Sequence, residues 1–120
     1  CHFTDMKVSE CKTAEKIPGL FKVDQSEFLP ENDEKVSMAY YAYIYVPPQC
    51  RADSSRCTLH VAFHGCFSKS VFGGVPAFIT CSGYLDVAAA NNIIILFPQT
   101  TWSMSDPFSL AGCWDVAGYT

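Results

Sequence analysis

Apolar residues gather in three short blocks divided by polar loops. The first, Ala39-Tyr40-Tyr41-Ala42-Tyr43-Ile44-Tyr45-Val46, is aromatic and β-branched and is stopped by Pro47-Pro48, which predicts a strand. The second, Thr58 to Phe63, runs into His64-Gly65-Cys66 and also has strand character. The third, Ile93-Ile94-Ile95-Leu96-Phe97, is halted by Pro98 and is continuously apolar, as expected of a strand buried on both faces. Between the last two, apolar residues return near Val71 to Thr80 after the small-residue loop at Gly73-Gly74. Tyr84 to Ala90 then has helical composition, with Asn91-Asn92 suited to a helix C-terminus. Strand, loop, helix, strand implies a right-handed crossover joining two parallel strands, with the tyrosine strand as an antiparallel neighbour.

The remainder is less regular. Residues 1–37 form an irregular polar segment with a turn at Pro18-Gly19, a short candidate strand at Leu20-Phe21-Lys22-Val23 and a solvated turn at Glu31-Asn32-Asp33-Glu34-Lys35. Residues 38–120 hold the βαβ core and a loop-like tail from Thr100 onward, with Pro107, Gly112 and Gly118. Such a sheet needs helices on both faces, and this chain offers too few. The expectation is part of one α/β domain, completed by another chain or segment.

Composition narrows the setting. Of 120 residues, 49% are hydrophobic and 17% charged, a folded rather than a disordered balance. The net charge of −4 and pI near 5.1 speak against nucleic acid or an anionic membrane as partner. No apolar run approaches the roughly 20 residues that span a bilayer. The chain opens on Cys1 rather than Met, with no signal-peptide pattern, which suggests a processed product or an excised segment.

Seven cysteines (Cys1, Cys11, Cys50, Cys57, Cys66, Cys81 and Cys113) point to a secreted, disulfide-bonded protein. The odd number leaves one thiol free or joined to another chain. Cys50 and Cys57 bracket the hydrophilic loop from Arg51 to Arg56 and are candidates for a local bridge; Cys66 and Cys113 are candidates for a bridge between two loops. Cys1 and Cys11 are further disulfide candidates.

Acyl transfer needs a nucleophile, a base, an orienting acid and oxyanion donors. No serine lies on a strand–turn–helix elbow with flanking glycines. Ser68 and Ser70 follow His-Gly-Cys in a loop, and Ser82-Gly83 lacks a preceding strand. His60 reads as a packed or edge residue, and His64 as a residue that holds its loop by hydrogen bonding rather than as a base. His2 has no evident partner. Metal binding is not expected: no Cys-x2-Cys occurs, and four residues on a strand hold His60 and His64 about 13 Å apart. Cys66 reads as a bridged cysteine whose backbone N–H, following Gly65, can aim into a cleft. In Gly112-Cys113-Trp114-Asp115, Trp114 can cover an apolar ligand or pack its own loop, and Asp115 can bond backbone groups of that loop.

Five ordered stretches carry a resemblance: Asp24 to Phe28, Tyr43 to Pro47, Cys57 to Cys66, Asn91 to Gln99 and Gly112 to Asp115. Over about residues 20–120 the chain resembles the C-terminal part of secreted poly(3-hydroxybutyrate) depolymerases and their animal relatives. The resemblance implies a circularly permuted α/β-hydrolase fold with a Ser, Asp and His triad placed earlier than the region matched here. It implies an oxyanion-hole N–H at Cys66, a bridge from Cys66 to Cys113, and Trp114 beside the substrate cleft. The chain departs from the family pattern at Ser68, where Gln is usual, through Gly83 to Ala89, where Gly-Tyr-Asn-x-Trp-Ala-Asp is usual, and at Val116, where a second Trp is usual.

Two functions follow as expectations. In the first, the chain belongs to a secreted, multi-chain, noncatalytic protein that binds an apolar ligand such as a lipid or carotenoid-type pigment, with His64, Phe67, Tyr84 and Trp114 as ligand-binding candidates. In the second, it supplies the Cys66 N–H and a cleft wall to an active polyester or carboxylester hydrolase whose triad lies on a companion chain. Both expect a companion chain, with a disulfide link as one form. Hydrolysis requires no cofactor.

Overall fold

The computed structural model describes residues 17–30, 36–67, 75–102 and 112–114. Their elements run β1 (Leu20–Asp24), β2 (Tyr41–Tyr45), α1 (Pro48–Ala52), β3 (Thr58–Val61), α2 (Ala77–Cys81), α3 (Tyr84–Asn91) and β4 (Ile93–Phe97), with 3-10 turns at Ser26–Phe28 and Ser54–Arg56. The strands form one four-stranded sheet in the order β1-β2-β4-β3. β2 pairs antiparallel with both β1 and β4, and β3 pairs parallel with β4.

Local chemistry explains the boundaries. Pro47 and Pro48 end β2 and open α1, where a missing N–H costs nothing in the first turn. α3 starts after Gly83 and stops at Asn92, both left-handed, and the Asn92 N–H returns to the Ala88 carbonyl. Gly19 (φ 91°) turns the chain into β1, and its carbonyl accepts the Val46 N–H at 2.8 Å. A side chain there would place its Cβ 2.5 Å from the Val46 oxygen, so the turn requires glycine. Asp24 and Asp53 each accept bonds from the N–H and hydroxyl of a serine two residues on, Ser26 and Ser55, which hold both carboxyls below the usual range.

One face of the sheet carries the core. Tyr43, Tyr45, Ala62, Ile95 and Phe97 meet Ile79 of α2 and Ala88 of α3, with Phe78, Tyr84 and Leu85 packed against them. Phe97 sits among the rings of Phe78 and Tyr84, with centroids 6.2 and 6.1 Å away in edge arrangements. Burial pushes the Tyr43 phenol up, aided by neighbouring Tyr41. The tyrosines of β2 therefore serve mainly in sheet packing, with Tyr40 exposed beyond the strand end.

Several expectations need correction. The candidate strand at Leu20 to Val23 is present as β1 and runs one residue further, to Asp24. α2 was not visible in the apolar return before Thr80, because five residues are too few to establish a helical period. The run Ile93 to Phe97 is not buried on both faces: Ile94 and Leu96 remain half-exposed because the described helices cover the other face. β3 is exposed at all four residues. The turn from Glu31 to Lys35, Gly73-Gly74 and the tail around Pro107 and Gly118 lie outside the described residues. No helix among the described residues is long and apolar enough to cross a membrane.

Phe97→Ala should cost about 3–5 kcal/mol, the cost of emptying a fully buried aromatic site. Val87→Ala, on the exposed side of α3, should change stability by less than about 0.5 kcal/mol. Urea unfolding of the intact protein measures both, and equal effects would contradict this placement of the core.

Candidate functional site

The parallel strands β3 and β4 end side by side, and the chain leaving each one meets at His64. Its Nδ1 lies 2.8 Å from the Gly65 carbonyl and therefore carries a proton. Its Nε2 is then left to accept the Thr100 N–H at 3.4 Å. The ring is buried, at 5% exposure. Thr100 turns its hydroxyl to the Gly112 carbonyl at 2.6 Å, and the Trp114 indole N–H donates to the His64 carbonyl at 2.9 Å. One histidine thus joins three stretches of chain: the β3 exit, the β4 exit and residues 112–114.

This arrangement decides what His64 can do. Thr100 Oγ1 is 3.4 Å from Nε2, a separation that superficially suits a nucleophile and base. The hydroxyl proton is committed to Gly112, and Thr100 is only 3% exposed. The pair is a structural tie, and both ring nitrogens of His64 are occupied in it.

A disulfide closes the same site. Cys66 and Cys113 are bridged with Cα atoms 4.4 Å apart, so the thiol of Cys66 is not a nucleophile. Phe67 follows in a left-handed conformation (φ 60°), which turns the chain sharply at the tip. No hydrogen bond among the described residues uses the Cys66 N–H. Trp114 packs edge-on against Phe63 at 4.8 Å and tilted against His64 at 5.3 Å. Phe67 is 83% exposed.

Of the four ligand-binding candidates, the structure brings His64 and Trp114 into direct contact and places Phe67 on the same loop. It does not bring Tyr84 there. That ring stacks on His60 at 5.9 Å and packs against Phe78 and Phe97 at the core face. Tyr84 opens α3 immediately after Gly83, and the helix carries it onto the sheet instead of the strand ends. Ser68, Ser70, Asp115, Val116 and His2 lie outside the described residues.

Sequence reasoning missed two contributors, Thr100 and Gln25. Gln25 is buried between the strand ends and donates to the carbonyls of Ala39 and Gln99. A polar residue following a strand is unremarkable in sequence; only burial shows that these side chains replace backbone partners. The second bridge, Cys50–Cys57, clamps α1 to the start of β3 with Cα atoms 5.9 Å apart, away from the site. Cys81 is also disulfide-bonded, and Cys1 and Cys11 lie outside the described residues. Among the described residues no three His, Cys, Asp or Glu side chains gather as a metal would need.

The described residues form a mixed α/β sheet, and the solved structures similar to it are PHB depolymerases, of the α/β-hydrolase type. Most of the chain is homologous to a region of polyhydroxybutyrate depolymerases. It is 40% identical over 86 residues to the polyhydroxybutyrate depolymerase of Talaromyces funiculosus, covering 64% of this chain and 25% of that one. It is 37% identical over 98 residues to the poly(3-hydroxybutyrate) depolymerase of Delftia acidovorans, covering 80% and 18%. The crystal structure of the Penicillium funiculosum enzyme aligns with a TM-score of 0.57 at 38% identity, over 69% of this chain and 24% of that one. A PHB depolymerase variant complexed with an R3HB trimer aligns at 0.63 and 29% identity, over 83% and 32%. No protein-family model matches the chain. The chain spans a quarter or less of the length of the curated relatives it matches.

Thr100→Val should leave the Gly112 carbonyl unsatisfied, cost about 1–3 kcal/mol and loosen residues 112–114. In a Trp102→Phe background the emission of Trp114 should shift to the red, while Thr100→Ser, which keeps the hydroxyl, should leave it in place. An unshifted spectrum in Thr100→Val would show that the hydroxyl does not hold the loop.

Proposed function

We propose that this chain forms the oxyanion-donor wall of a secreted carboxylic ester hydrolase of the polyester type. The observation that carries this reading is the Cys66 N–H, which no hydrogen bond among the described residues uses, held by the His64 tie and the Cys66–Cys113 bridge beyond a strand end, in a chain homologous to polyester depolymerases. A preorganised N–H stabilises negative charge where it develops on a carbonyl oxygen, and needs no rearrangement during the reaction. Trp114 and Phe63 offer an apolar wall beside it for the acyl or polymer chain. In this reading the serine, histidine and aspartate lie on further polypeptide, on a longer chain or a companion, and complete the circularly permuted α/β-hydrolase domain. The substrate is an ester of the kind represented by the R3HB trimer of the relative. Disulfide density supports an extracellular location.

One observation favours a second reading. The described residues around the tip, from Leu59 to Phe67 and from Gly112 to Trp114, include no Asp, Glu, Lys or Arg, and Phe63 and Phe67 are largely exposed. Such a surface suits an apolar ligand, a lipid or carotenoid-type pigment, in a noncatalytic protein of two chains.

The test separates the N–H from the sulfur. In the intact protein, the double substitution Cys66→Ala with Cys113→Ala removes the bridge and keeps the N–H; Cys66→Pro with Cys113→Ala removes both. Loss of the donor should lower kcat on a soluble 3-hydroxybutyrate ester by a further factor of about 100–1,000. Equal rates in the two variants would remove Cys66 from the oxyanion site. An intact protein that turns over no ester and carries a visible absorption band would establish the second reading instead.

A further inference from the structure

Phe67 is the residue that packing explains least. It is 83% exposed, more than any other large apolar side chain among the described residues. None of the ring pairs among those residues includes it. A ring left in water gains none of the hydrophobic stabilisation that keeps Phe97 in the core.

The backbone adds a cost. Among the described residues other than glycine, Asn92 and Phe67 have a left-handed backbone. Asn92 suits it, because asparagine tolerates this conformation, and its N–H closes α3 on the Ala88 carbonyl. In Phe67, at φ 60°, the same conformation crowds Cβ against the following carbonyl oxygen. Glycine or asparagine would make this turn at lower cost. A strained residue of this kind points to a use for its side chain that the turn itself does not supply.

Position indicates which use. Covalent geometry holds the Phe67 Cα within about 5 Å of the Cys66 nitrogen. An ester carbonyl oxygen that accepts the Cys66 N–H lies about 3 Å from that nitrogen. The acyl group of such an ester is therefore within reach of the Phe67 ring. The Cys66–Cys113 bridge and the Trp114 bond to His64 anchor the loop up to Cys66, and Phe67 is the first side chain beyond that anchor.

We propose that Phe67 is a specificity-determining residue of this site: its ring contacts the acyl chain of the ester held at Cys66 and selects for chain length. This inference rests on the hydrolase reading and names the substrate feature selected there. The contact is apolar, so it acts on the methylenes of the acyl chain and not on the ester group. Each methylene removed from water against the ring strengthens binding about fourfold. A butyrate ester offers two methylenes that an acetate ester lacks.

Two substitutions in the intact protein test it. Phe67→Asn suits the left-handed turn and removes the ring, while Phe67→Tyr keeps the ring. The ratio of kcat/KM for p-nitrophenyl butyrate over p-nitrophenyl acetate should fall about tenfold in Phe67→Asn and stay within about twofold in Phe67→Tyr. A disturbed loop slows both esters alike and cancels in this ratio. The urea midpoint of Phe67→Asn should equal or exceed that of the wild type, because no burial is lost and the turn is relaxed. An unchanged ratio in Phe67→Asn overturns the proposal, and so does a lower midpoint, which would show that the ring packs within the fold. Nonhydrolysable ketone analogues of the two esters, titrated calorimetrically, repeat the comparison without turnover. Ester turnover with an unchanged ratio sinks this inference alone. Ketone discrimination that disappears in Phe67→Asn, in a protein that turns over no ester, sinks only the hydrolase reading. A wild type that neither binds the ketones nor turns over the esters sinks both.

Discussion

Parallel pairing of Thr58–Val61 with Ile93–Phe97 brings both strands to an end on the same edge of the sheet. A parallel partner requires a crossover, and α2 and α3 provide it while covering the face that holds Phe97 and Ile95. The segments leaving the two strands must then run side by side. His64 meets Thr100 for that reason, and residues 112–114 are drawn in over both. An antiparallel arrangement of the same residues would put His64 and Thr100 at opposite ends of the sheet.

The strand ends are held by hydrogen bonds and a covalent bridge. Among the described residues, Gln25, His64, Gln99 and Thr100 are the buried polar side chains, and none of their buried polar atoms lacks a partner. Most of their partners are backbone carbonyls, so the side chains do the work that a ladder would do in a regular sheet. A loop fixed in this way holds its backbone groups in place through side chains from three stretches of chain.

Much of the architecture was legible. Tyr41–Tyr45, Ile93–Phe97 and α3 followed from composition and from the residues that end them, Pro47, Pro98 and Asn92. The antiparallel and parallel neighbours of β4 followed from element order. α2 was not legible, being a helix of five residues within an apolar stretch. At the site, a holding role for His64 could be read from its place before Gly65. The association of Trp114 with His64 could be anticipated only as a cluster, and the packing of Tyr84 against Phe78 and Phe97 was not legible. One residue of phase along α3 decides whether a ring faces core or cleft, and short helices define that phase poorly.

Sequence alone determined which segments extend, where prolines and glycines stop them, and that sulfur would staple a chain with this density of cysteines. These are local properties, set by each residue's conformational preference and its immediate neighbours. Tertiary structure decided that Thr100 and Gln25 belong to the site, that the sulfur of Cys66 is bridged to Cys113, and that Leu59, Val61 and Phe63 lie exposed. Those outcomes depend on which distant backbone groups arrive at the same place, and on which edge of the sheet is left without a neighbour.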